Sequence, residues 1–214
     1  MRILLARHGE TQWNVEGRSQ GQGFDIPLSP TGRAQAEALG RRLEGLALAR
    51  AVASPLLRAR QTAELALGSR AGQLTLEPRL MEISHGLWEG RTAAEIALEF
   101  PESRRAWRET PDQVTLPGGE SLQDVDARAW PAFRDACGGL GPEEVVLLVT
   151  HDAVCRVLLC RLLGLGLGRV WAFRQAPACL NLLEGPDLDH LQLVRLNDGA
   201  HVTPLFGEVV HRKL

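Results

Sequence analysis

The 214 residues carry 24 basic and 26 acidic side chains, a formal net charge of -2, which suits one domain with a sizeable core. This balance gives no global attraction to nucleic acid or to an anionic membrane, so any strong positive field must be local. Tyrosine is absent, which excludes chemistry that depends on a phenol, and no apolar run approaches the roughly 18 residues that span a bilayer.

In chain order, strands are expected near residues 2–6, 50–53, 74–77, 145–149, 179–184 and 190–195, and helices near 30–44, 55–67, 92–100, 120–136 and 152–163. Such alternation predicts an α/β fold: a mostly parallel sheet flanked by helices on both faces. The segment from about 81 to 140 holds Trp88, Trp107 and Trp130 among four prolines. It is expected to form a helical cap over the carboxyl ends of the strands, within a single domain. Cys137, Cys155, Cys160 and Cys179 form no Cys-x-x-Cys pair, and Cys155 and Cys160 read as reduced core residues. With no signal-peptide pattern at the N-terminus, a cytosolic protein is expected.

The first strand runs directly into Arg7-His8-Gly9-Glu10-Thr11. Ligands in open α/β sheets bind outside the carboxyl ends of strands. An arginine beside a histidine there suits an anion held by guanidinium and attacked by imidazole. Ser29 reads as the cap of the next helix and Pro30 as its first residue. The second strand stops at Ser54-Pro55, where Ser54 is expected to cap a helix carrying Arg58 in its first turn. The run Val145–Val149 ends at Thr150-His151-Asp152. Three strands thus deliver Arg7, His8, Arg58 and His151 to one rim.

These residues resemble the histidine phosphatase superfamily, in the branch that contains cofactor-dependent phosphoglycerate mutases and small-molecule phosphatases. The likeness runs through Arg7–Thr11, Trp13-Asn14, Gly17-Arg18, Gln20-Gly21, Asp25–Ser29 and Gly32, then Ser54-Pro55-Leu56 with Arg58, Ala59, Gln61, Thr62 and Ala63. It continues at Leu80, Glu82, Gly86, Trp88, Glu89, Gly90 and Thr150-His151. The resemblance implies that His8 is the phosphate-accepting nucleophile, flanked by Arg7, Arg58 and His151, with Glu82 as general acid. It also implies that Asn14, Gln20 and Gly21 contact the transferred phosphate, without a cofactor or a metal ion. Asp152 stands where mutases commonly have glycine, a difference on the substrate side. A homodimer is the family expectation.

Hydrolysis is favoured over mutase chemistry. The residue after Gly21 is Gln22 rather than the mutases' tryptophan, and Glu82-Ile83-Ser84-His85-Gly86 lacks the arginine and tyrosine that mutases place beside the acid. The expected substrate is a small phosphorylated metabolite, and Arg91, Arg104, Arg105 and Arg108 are candidates for reading a second anionic group. A phosphate-sensing module is disfavoured because every catalytic residue type is present. His85, His190, His201 and His211 show no metal-ligand spacing and are expected to be bystanders. Asn14 has the alternative of bracing a turn, and Glu82 that of capping a helix.

Overall fold

The computed structural model describes residues 1–202; His211 lies outside them. In chain order the elements are β1 (Arg2–Arg7), α1 (Gln12–Glu16), α2 (Pro30–Arg42), β2 (Leu48–Ala53), α3 (Leu57–Leu67) and β3 (Leu74–Leu76). These are followed by α4 (Ala93–Glu99), α5 (Pro101–Glu109), α6 (Leu122–Cys137), β4 (Val145–Thr150), α7 (Asp152–Leu162), β5 (Leu180–Glu184) and β6 (Gln192–Asp198). One six-stranded sheet has the order β3-β2-β4-β1-β5-β6. Its first four strands are parallel, while β5 runs antiparallel to β1 and β6 antiparallel to β5. The mostly parallel α/β sheet expected from the sequence is the one observed.

Strand periodicity explains why both faces are covered. Ile3, Leu5, Val146 and Leu148 point to one side and join the buried faces of α6 and α7. Their neighbours Leu4, Ala6, Leu147 and Val149 point to the other side, with Ala59, Ala63 and Leu39 from α3 and α2. This alternation is the two-residue period of the pleat, and β4, buried at all six positions, reads as a continuous apolar run for that reason. Cys137, Cys155, Cys160 and Cys179 are buried free thiols. Among the described residues no helix is long and apolar enough to cross a membrane.

Ser29 caps α2 by accepting from the Gly32 N–H, with Pro30 as its first residue. The expected cap of α3 is corrected. Ser54 does not cap it; the helix begins two residues later, and Leu56 at its start makes no side-chain cap. Asp25, from a distant loop, instead accepts from the Leu57 N–H at 2.5 Å. Ser54 has another use: its Oγ lies 2.7 Å from the His151 Nε2. Two helices went unforeseen, α1 and α5. Each opens beside a loop, where short polar stretches carry little apolar periodicity.

Candidate active site

His8 follows the last residue of β1, its N–H bonded to the Thr150 carbonyl and its carbonyl to the Ala178 N–H. The backbone therefore clamps it from β4 on one side and from the start of β5 on the other. The His8 Nδ1 lies 2.6 Å from the Gly9 carbonyl oxygen. A carbonyl only accepts, so Nδ1 carries the proton and Nε2 keeps the lone pair. Gly9 is required here by a close approach: a Cβ would stand 2.6 Å from the Gly32 carbonyl oxygen of α2.

The His151 and His8 ring centroids are 5.2 Å apart. His151 is wholly buried, and its Nδ1 has no hydrogen-bond partner among the described residues. Burial first, then the neighbouring charges of Arg58, His8 and Arg7, hold its ring neutral, well below the usual imidazole range. The Leu56 N–H points at the Ser54 Oγ, which leaves the Ser54 hydroxyl hydrogen available for His151 Nε2. That arrangement makes His151 Nδ1 the N–H donor.

Arg58, in the first turn of α3, is fully buried and donates from Nη2 to the Gly21 carbonyl at 2.7 Å. Its Nε and Nη1 are buried without an acceptor among the described residues. Burial takes the guanidinium down to about 10, against the raising influence of Glu82 and Asp25, so it stays charged at neutral pH. Two orphaned donors on a buried cation mark a place for an anion. Arg7 donates from Nη1 to the Gln175 carbonyl at 2.6 Å and lies 3.7 Å from the Asp152 carboxylate.

Glu82 stands at the head of α7. It accepts from the Asp152 and Ala153 N–H groups and from the Ile83 N–H, so its position does cap a helix. Burial nevertheless pushes its carboxyl above the usual range, and the Asp152 charge adds to the effect. Arg58, the Ile83 N–H and Arg7 pull the other way without cancelling them. Arg128 of α6 fixes the approach by donating to the carbonyls of Arg79, Met81 and Glu82.

Arg7, His8, Arg58, Glu82 and Asp152 line one cavity of about 250 Å³, together with Asn14, Gln20 and Gly21. His151 is not in the lining; its ring lies beside that of His8. Asn14 braces a turn, its Oδ1 accepting from the Thr11 N–H, and also faces the cavity. His85 lines the cavity as well, and burial lowers its ring to about 4. Glu89 is a missed residue. Its carboxylate accepts from the N–H groups of Gln22, Gly23 and His85, tying the Gln20–Gly23 loop to the stretch after Glu82. Gly21 has φ +57°, and a Cβ there would meet the Glu89 Oε1 at 1.9 Å. The only sequence signal was the presence of Glu89 in the resemblance.

With this geometry described, comparison identifies the class. The model of the histidine phosphatase superfamily (branch 1) matches residues 3–199, and the chain belongs to that superfamily. It is 31% identical over 208 residues to phosphoserine phosphatase 1 of Hydrogenobacter thermophilus, covering 97% of each chain. It is 36% identical over 170 residues to a probable phosphoglycerate mutase of Cronobacter sakazakii, covering 77% of this chain and 76% of that one. A mycobacterial glucosyl-3-phosphoglycerate phosphatase solved with VO3 superposes with a TM-score of 0.81 at 35% identity, over 92% of this chain and 98% of the other.

Proposed function

We propose that this chain hydrolyses small phosphomonoesters through a phosphohistidine on His8. The observation that carries the reading is the His8 ring itself: Nδ1 is committed to the Gly9 carbonyl, and the lone pair is on Nε2 beside two buried guanidinium groups. Arg58 and Arg7 neutralise the phosphate oxygens, and the His151 Nδ1–H adds a donor. Asn14, Gln20 and Gly21 shape the remaining contacts.

In the first half-reaction Nε2 attacks phosphorus, an N–P bond forms, and the P–O bond to the leaving group breaks. Glu82, protonated because it is buried beside Asp152, transfers its proton to the departing alkoxide. In the second, the Glu82 carboxylate takes a proton from water, the hydroxide attacks phosphorus, and the N–P bond breaks to return His8 and release phosphate. The cap over the cavity belongs to the segment from about 81 to 140, whose Trp88, Ile96 and Trp107 line it and whose α6 packs against α7.

Gln22 supports hydrolysis over mutase chemistry. Its side-chain amide donates to the Glu82 carbonyl and to Glu120, bracing the acid instead of facing a substrate. Phosphate release from a panel of metabolites in chelator, abolished in His8→Ala, is the expected result. Isotope exchange between isomers without net release would replace this reading with a mutase. The lack of a signal-peptide pattern supports a cytosolic enzyme, and the family resemblance a homodimer, which its mass in solution checks.

A further inference from the structure

Part of the cavity lining is built from aromatic rings. Trp88 meets Trp107 edge-on at 6.5 Å, and Trp107 meets Trp171 edge-on at 5.4 Å. The Trp171 indole N–H donates to the Trp107 carbonyl at 3.0 Å, which fixes the row. Arg104 and Arg108 lie one turn apart on α5, on either side of Trp107 in sequence, and Arg174 follows the aromatic segment Trp171–Phe173. All three line the cavity.

Charge is unevenly distributed there. Seven arginines line the cavity against two carboxylates, Glu82 and Asp152, in a chain whose formal net charge is -2. Of the other four, Arg156 and Arg7 face Asp152, Arg18 faces Glu16 and Glu95, and Arg58 is held by the Gly21 carbonyl within the phosphate site already described. Among the described residues, Arg104, Arg108 and Arg174 have no ion pair, and the Arg104 Nε is buried without an acceptor. A helix C-terminus accounts for Arg108; it does not account for Arg104 a turn earlier, nor for Arg174 on a different segment. Three like charges around one opening repel each other, and the fold gains no internal pair from them.

Building on the His8 reading, we propose that Arg104, Arg108 and Arg174 form a second anion subsite, so that the substrate is a phosphomonoester whose leaving group carries its own carboxylate or phosphate. The tryptophan row covers the carbon skeleton between the two anionic ends. These arginines act on specificity, remote from the reacting atoms.

The test compares kcat/KM within two pairs of esters, 3-phosphoglycerate against glycerol 3-phosphate and fructose 1,6-bisphosphate against fructose 6-phosphate. The wild type is expected to favour the doubly anionic member of at least one pair by about tenfold, the scale of a few partly exposed charge contacts. The pair that shows the preference tells carboxylate from phosphate. The Arg104→Gln/Arg108→Gln double variant is expected to bring that ratio close to one. Arg105→Gln, which removes one charge from the same helix but outside the cavity, is expected to leave it unchanged. Turnover without preference, an unchanged ratio in the double variant, or an equal loss in Arg105→Gln overturns the subsite. Failure to release phosphate from any ester overturns the phosphatase reading itself.

Discussion

The backbone N–H of Asp152 donates to the Glu82 carboxylate at 3.1 Å, while the Asp152 side chain opposes ionisation of that same carboxylate. One residue therefore holds the acid in place and adds to the burial that favours its protonated form. Glycine at this position would do only the first. Asp152→Asn keeps the main-chain bond and removes the charge, so the Glu82 carboxyl loses its proton at lower pH. Because donation needs the protonated form, the alkaline limb of the kcat profile is expected to move to lower pH. A limb that stays in place or moves to higher pH contradicts this account.

Glu82→Gln keeps the size and one of the two accepting oxygens but cannot donate a proton as an acid. We expect kcat to fall by about 10²- to 10⁴-fold with KM little changed, the usual scale for lost acid–base catalysis. Esters with good leaving groups, such as aryl phosphates, should suffer less, since their departing oxygen needs less protonation. Equal losses for alkyl and aryl esters would move the acid role elsewhere.

Glu89 is expected to act by holding the loop in place. Glu89→Ala releases three N–H groups and frees Gln20–Gly23, whose Gly21 carbonyl anchors Arg58. Loss of charge-assisted bonds of about 1.5–3 kcal/mol each in favourable settings should lower the Tm, and a loosened Arg58 should weaken vanadate binding by about tenfold or more. Unchanged vanadate affinity together with a lowered Tm would confine Glu89 to a stabilising role.

Stability should fall on acidification. Unfolded histidines take up protons near pH 6.5, whereas folded His85 does so only at about 4 and folded His151 well below the ordinary value. Between roughly pH 6.5 and 4 the unfolded chain binds more protons at these two sites, so unfolding becomes easier as pH drops. Glu82, raised in the fold, works in the opposite sense but is one group against two. Urea midpoints should fall between pH 7 and pH 5, and His85→Gln should flatten that slope. A pH-independent midpoint would contradict it.

Arg58→Lys keeps a positive charge and loses the forked donor. Since Nη2 already serves Gly21, a single ammonium cannot do both tasks. Phosphate affinity is expected to drop at least about tenfold, measured by competition with vanadate; equal affinity would mean that charge alone suffices.

The rim was readable from sequence because each of its parts lies at or shortly after the end of a strand. Arg7, His8, Arg58 and His151 follow apolar runs whose period and length identify them as strands, and parallel strands bring their carboxyl ends together. What escaped notice depends on contacts between segments far apart in the chain. Ser54 looked like a helix cap because Ser-Pro is a local signal, yet its hydroxyl serves a histidine 97 residues away. Asp25 caps a helix from a loop that no spacing rule connects to it. His85 carried no partner pattern, and only the folded path of residues 82–89 places it at the cavity wall. Glu82 satisfied both of its readings, since an acid buried at a helix start is at once a cap and a carboxyl that resists ionisation.

The reversal of β5 has a consequence for how this enzyme can diversify. An antiparallel neighbour of β1 begins at the edge where the parallel strands finish, so the chain arriving at residues 174–181 passes the nucleophile with its main chain. The Gln175 carbonyl steadies Arg7 and the Ala178 amide steadies His8, and neither contact depends on a side chain. Buried Gln175 and Asn181 stay tied to each other, whereas selection can rewrite an exposed side chain such as Arg174 and retune what departs from phosphorus while the transfer machinery keeps its shape.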